Sequence, residues 1–161
     1  MELILLRHGK AEDCSAGGDF ARALTTKGHA QSQRAGRLLK AASSLPDIVL
    51  TSPLIRARQT AEEFCNAAGI PGAIIQGWLS SGFAPETGLT ELSSFRDFKR
   101  VMIVGHEPDL SSLISFILET SSACIQMKKG ALACLNVSPP SRRGTLLYLI
   151  PPKLAEEPDD S

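Results

Sequence analysis

The chain lacks any apolar run long enough to cross a bilayer, any excess of charge and any pairing of its cysteines. Its apolar stretches, such as Leu3 to Leu6 and Leu146 to Ile150, fall far short of the ~18 residues a spanning helix needs. No membrane partner is expected. The 17 basic side chains are balanced by 17 acidic ones, whereas a dedicated nucleic-acid binder needs a cationic excess to neutralise phosphates. No nucleic-acid partner is expected either, although a local anion pocket remains compatible with neutrality. Cys14, Cys65, Cys124 and Cys134 are widely separated, without a C-x-x-C pair or clustered histidines. Zinc-ligand spacing is therefore absent, and the thiols are expected to be reduced and mostly buried, with no metal or cofactor. The start, Met1-Glu2-Leu3-Ile4, has no basic leader or small-residue cleavage site, so a cytoplasmic location is expected.

What is present is enough for one core. A chain of 161 residues buries roughly 70% of its unfolded surface. A single domain over 1–150 is expected, followed by a flexible acidic tail at 151–161. That tail has one lysine against Glu156, Glu157, Asp159 and Asp160, hence −3, which leaves the body mildly basic at +3.

The run from Glu2 to Arg7 ends abruptly in Arg-His-Gly, the pattern of a buried strand opening into a loop. After a polar loop, Thr25 or Thr26 can cap a helix with Ala30, Ala35, Leu38, Leu39 and Ala42 on one face. Asp47 to Thr51 reads as a second buried strand. Ser52-Pro53 then begins a helix with proline in its first turn, and Gly69 stops it. Ile74-Ile75 is a short strand, Pro85 to Phe95 a short helix, and Arg100 to Gly105 a third buried strand ending at His106. Pro108 starts another helix, and Ala131 to Val137 with Thr145 to Ile150 form a hairpin. Alternating strands and helices predict a three-layer α/β sandwich, its central sheet largely parallel with an antiparallel addition near the C-terminus.

Ligands of open α/β sheets bind beyond the carboxyl ends of the strands. Three strand exits deliver Arg7-His8, Ser52 to Arg56, and His106 to that region. A neutral imidazole can attack phosphorus while guanidiniums hold the equatorial oxygens and a second imidazole donates to them. The pattern therefore suits phosphoryl transfer. His29, in the polar part of a helix without a partner motif, is expected to be structural, and Lys128-Lys129 a solvated pair before a strand.

Four segments occur together and in order: Leu6-Arg7-His8-Gly9, Leu24-Thr25-Thr26-Lys27-Gly28, Ser52-Pro53-Leu54-Ile55-Arg56-Ala57-Arg58-Gln59-Thr60-Ala61-Glu62, and Val104-Gly105-His106-Glu107-Pro108-Asp109-Leu110. They resemble the histidine phosphatase (phosphoglycerate-mutase-like) superfamily. The approach Asp19-Phe20-Ala21-Arg22-Ala23-Leu24-Thr25 and the segment Lys129-Gly130-Ala131-Leu132 look most like the SixA-type phosphohistidine phosphatases. The resemblance implies His8 as a nucleophile that becomes phosphorylated, Arg7 and Arg56 as a clamp on the phosphoryl group, and His106 as its stabiliser. It places Ser52 beside the pocket, as a hydrogen-bond contributor, and Arg22 at its mouth. The implied partner is a histidine-phosphorylated protein domain, acted on by a monomer.

One departure bears on substrate. Larger members of the superfamily carry an acidic proton donor after the second helix, but Gln76 to Gly82 contains no carboxylate. A general acid contributes about 10² to 10⁴ in rate, most of all for alkoxide leaving groups. An imidazole can accept a proton on its own ring, so the departure favours a phosphoramidate; Glu12, Glu86 and Glu107 stay open as stand-ins. Alternatives are a phosphomonoesterase for a small metabolite and a phosphoprotein-binding module without turnover. A mutase is less expected, since this short chain has few residues for a lid.

Overall fold

The structure, a computed structural model, describes residues 1–156. A six-stranded sheet has the order β3-β2-β4-β1-β5-β6, formed by β1 (Glu2–Arg7), β2 (Ile48–Thr51), β3 (Ile74–Ile75), β4 (Arg100–Gly105), β5 (Leu132–Val137) and β6 (Gly144–Ile150). Strands β3, β2, β4 and β1 pair in parallel, whereas β5 joins β1 and β6 joins β5 antiparallel. Helices cover both faces, giving the three layers and the antiparallel addition that the sequence pattern predicts.

Alternation along the strands builds the two halves of the core. Leu3 and Leu5 of β1 point to one face with Leu50, Val101 and Ile103, where α3 (Pro85–Leu92) and α4 (Asp109–Leu118) pack. Ile4 and Leu6 point to the other with Val49, Met102 and Val104, against α1 (Thr26–Ala41) and α2 (Ile55–Ala68). With both faces covered, β1 must be apolar throughout, and Leu3 to Leu6 are fully buried. Residue by residue, such burial is worth about 1.5–3 kcal/mol for a leucine or isoleucine.

Local capping sets where the helices begin. Thr25 caps α1 by accepting the Gly28 N–H at 3.2 Å. Helix α2 starts at Ile55 rather than at Ser52-Pro53, because the Ser52 hydroxyl accepts the Leu54 N–H at 3.2 Å and Leu54 keeps an extended backbone. Pro53 thus precedes the helix, and α2 ends on Gly69 with a left-handed φ of 72°. Pro108 caps α4 instead of opening it.

Two further expectations need correction. Cys65 and Cys134 are buried, but Cys14 and Cys124 are exposed, since both lie outside the strands and helices that face the core. The first part of the expected tail is structured: Pro152–Ala155 forms a 3-10 turn, and Arg34 of α1 pairs with Glu156 at 3.2 Å. The remainder, 157–161, lies outside the described residues. Among the described residues, no helix is long and apolar enough to cross a membrane.

Candidate active site

Because β2, β4 and β1 are neighbours in the sheet, their carboxyl ends bring three distant loops together. Pairing continues one residue past each strand: the His8 N–H reaches the Gly105 carbonyl at 3.1 Å and the Ser52 N–H reaches that of Val104 at 3.0 Å. The imidazoles of His8 and His106 end up with ring centroids 5.3 Å apart. Arg56 arrives from the first turn of α2. The structure therefore brings together His8, Arg7, Arg56, His106 and Ser52.

The loop after β1 is held by a close backbone approach. A Cβ on Gly9 would sit 2.6 Å from the Gly28 carbonyl oxygen, so only glycine lets the loop lie against the start of α1. The Gly9 N–H then donates to Thr60 Oγ1 at 3.0 Å, whose own hydroxyl donates to the Arg56 carbonyl at 2.7 Å. One threonine thereby couples the His8 loop to the helix carrying Arg56.

His8 is 5% exposed, and its Nδ1 lies 2.8 Å from the Gly9 carbonyl oxygen. A carbonyl only accepts, so Nδ1 carries the hydrogen and Nε2 keeps its lone pair when the ring is neutral. Burial pushes the His8 pKa down to about 3; the Gly9 carbonyl opposes this, and His106, Arg56 and Arg7 lower it further. His106 falls to about 4, mainly through burial and then the Arg56 charge, with Asp19 opposing and Arg7 adding to the fall. Both rings are neutral at neutral pH. His106 Nε2 lies 2.7 Å from Ser52 Oγ, which orients the second ring.

The guanidiniums are fixed from behind. Arg7 donates to the Met127 carbonyl at 2.8 Å, and burial lowers its basicity against the opposing influence of Glu107. Arg56 donates to the Asp19 carbonyl at 2.9 Å and to the Asp19 carboxylate at 3.3 Å. Arg22 binds the other Asp19 carboxylate oxygen at 3.0 Å and the Glu12 carbonyl at 2.6 Å, so it reaches the site through Asp19. Hydrogen bonding from Arg22, together with the Arg56 charge, keeps the Asp19 carboxyl below its ordinary value against the opposing influence of desolvation. Sequence reasoning did not single out Asp19 or Thr60, although both lie inside the motif segments and Thr60 stands one helical turn from Arg56.

Arg7 Nε, Arg56 Nε and His106 Nδ1 are buried without a hydrogen-bond partner among the described residues. An unpaired buried polar group costs about 1–3 kcal/mol, a cost that an incoming anion removes. Arg7 also lines an adjoining cleft of about 530 Å³. A second cavity of about 400 Å³, between α2 and β3, touches neither histidine. His29 pairs with Glu63 at 2.7 Å, away from this cluster.

Comparison with known proteins agrees with this arrangement. The model of the histidine phosphatase superfamily (branch 1) matches residues 3–80. An uncharacterized protein of Picosynechococcus sp. is 39% identical over 117 residues, 68% of each chain. The 2,3-bisphosphoglycerate-dependent phosphoglycerate mutase of Corynebacterium diphtheriae is 48% identical over 71 residues, which is 42% of this chain but 28% of the mutase. The solved structure of the protein histidine phosphatase SixA complexed with tungstate superposes with a TM-score of 0.87 at 25% identity, covering 97% of this chain and 100% of that one. The chain belongs to the histidine phosphatase superfamily, as a phosphatase of the SixA type.

Proposed function

We propose that this chain is a cytoplasmic, metal-independent monomer that hydrolyses phosphohistidine on a protein partner, with His8 taking the phosphoryl group. The observation that carries the reading is the state of His8: a neutral ring, bound through Nδ1 to the Gly9 carbonyl so that Nε2 keeps its lone pair, with the charges of Arg56 and Arg7 acting on it. In the first step Nε2 attacks phosphorus, the new N–P bond forms, and the substrate's P–N bond breaks. The leaving imidazole departs neutral when its other ring nitrogen is already protonated. Water then attacks the phosphoryl group on His8, releasing phosphate and the free imidazole. Arg7 and Arg56 clamp the charge on the equatorial oxygens throughout, and His106, oriented by Ser52, donates to them.

The engagements of Glu107, Glu12 and Asp19 support a phosphoramidate over an alkyl ester. Glu107 accepts from both the Ser111 N–H at 2.9 Å and the Ser111 hydroxyl at 2.6 Å, and Glu12 accepts the Ala23 N–H at 3.2 Å. Glu86 sits in the first turn of α3. Asp19 is committed to two arginines. Glu107, Glu12 and Asp19 are thus engaged as acceptors, whereas a leaving alkoxide needs a proton donor and a leaving imidazole does not.

The test is a comparison of kcat/KM on a phosphohistidine peptide and on an alkyl phosphate. The expected preference for phosphohistidine is about 10²-fold or more, the lower range of a general acid's contribution. Efficient turnover of the alkyl ester with none of phosphohistidine overturns the substrate assignment. A radioactive phosphodonor should leave an acid-labile label on His8, and no label would favour a binding module.

A further inference from the structure

The cleft beside Arg7 is lined by Lys10, Lys27, Lys128, Lys129 and Lys153, with Glu156 as its only acidic side chain among the described residues. In a chain whose charges cancel, this concentration is a local feature of the fold. The lysines come from four separate places: the loop after β1, the first turn of α1, the loop before β5 and the C-terminal 3-10 turn. Among the described residues, no salt bridge engages any of them, whereas Glu156 is already paired with Arg34. The pair at Lys128-Lys129 is solvated, as its sequence suggests, but it faces this shared cleft. Arg7 belongs to both regions, so the cleft adjoins the phosphoryl site.

We propose that this lysine cleft is a docking surface for carboxylates that flank the phosphorylated side chain of an acidic protein partner. The inference rests on the function proposed above and specifies its substrate class. Charge complementarity selects the occupant. Four of the five lysines are exposed and Lys129 half-buried, so the cleft presents mobile point charges with few fixed forks. Such charges suit a spread of carboxylates, while bidentate recognition of a compact phosphate is the work of arginine. A net positive patch beside the pocket also steers an acidic partner toward productive encounter.

The test uses short peptides bearing one phosphohistidine, made with potassium phosphoramidate, and flanked by either glutamates or glutamines. The wild-type chain is expected to show about tenfold higher kcat/KM for the glutamate peptide, through KM, with the advantage shrinking as salt rises. The exposed triple substitution Lys27→Gln, Lys128→Gln, Lys153→Gln is expected to remove that preference. Equal turnover of the two peptides by wild type, or a preference that survives the triple substitution, overturns the docking surface while leaving the proposed function standing. No turnover of either peptide overturns the proposed function itself. Equal turnover combined with tripolyphosphate inhibition that the triple variant relieves assigns the cleft to a small polyanion instead.

Discussion

Arg56 and Lys27 sit in the first turns of consecutive helices, both beyond the carboxyl ends of the parallel strands, yet their charges are held in opposite ways. Arg56 is 6% exposed and tied at two nitrogens to Asp19. Lys27 is exposed and makes no salt bridge among the described residues. A buried, oriented guanidinium acts on one place at full strength because little solvent screens it. An exposed ammonium acts over a wider area and weakens with salt. Chemistry belongs to the first kind of cation and selection of a partner to the second.

The sharpest way to break this comparison is to remove the group that the buried cations serve. His8→Ala is expected to lower kcat by about 10⁴-fold or more, the scale lost when a covalent nucleophile goes, and to abolish the acid-labile phosphoenzyme. Circular dichroism would confirm that the fold persists, and retained turnover would sink the nucleophile assignment. EDTA should change wild-type rates little, since the charge stabilisation assigned here comes from arginines. Arg56→Lys keeps the charge and discards the fork; a loss of about 10²-fold, mainly in kcat, is expected. If the loss were no larger than that of a lysine-cleft substitution, the distinction between the two kinds of cation would fail.

Asp19→Asn probes what fixes the fork. Its carboxylate binds Arg22 and Arg56 together, so kcat should fall by about tenfold or less as Arg56 loses its orientation. A rise in kcat/KM would instead mean that Asp19 competes with the phosphoryl group. A further effect concerns protonation. His8 and His106 are held at about 3 and about 4 against an ordinary 6.5, so the unfolded chain binds more protons than the folded one between those values. Stability is therefore full above about pH 6.5 and falls as the pH drops toward 4. Urea unfolding at successive pH values should show this fall, flattened in His8→Ala, and ¹⁵N spectra should show both rings neutral at pH 7 with His8 unprotonated at Nε2.

Much of the architecture was legible because its signals are local. The continuous apolar runs in Glu2–Arg7 and Arg100–Gly105, the Thr25 cap and the Gly69 stop each act within a few residues. The start of α2 was misplaced by two or three residues because the Ser52 side chain, rather than Pro53, organises that turn. Exposure of Cys14 and Cys124 and the seating of Pro152–Ala155 depend on what lies opposite them, which composition does not encode. The role of Asp19 was hidden for the same reason, being 37 residues from Arg56 in the chain.

By itself the sequence determined the residue types at the strand exits, Arg7-His8, Ser52 to Arg56 and His106, and with them the family. Only the tertiary structure decided that these groups share one pocket, that Asp19 and Thr60 hold it, and that both imidazoles are neutral. A pKa depends on burial and on neighbouring charges, and here both arise from the order β2-β4-β1, which sets three distant loops side by side. The lysine cleft is of the same kind: its members are scattered from Lys10 to Lys153, and only folding gathers them beside Arg7.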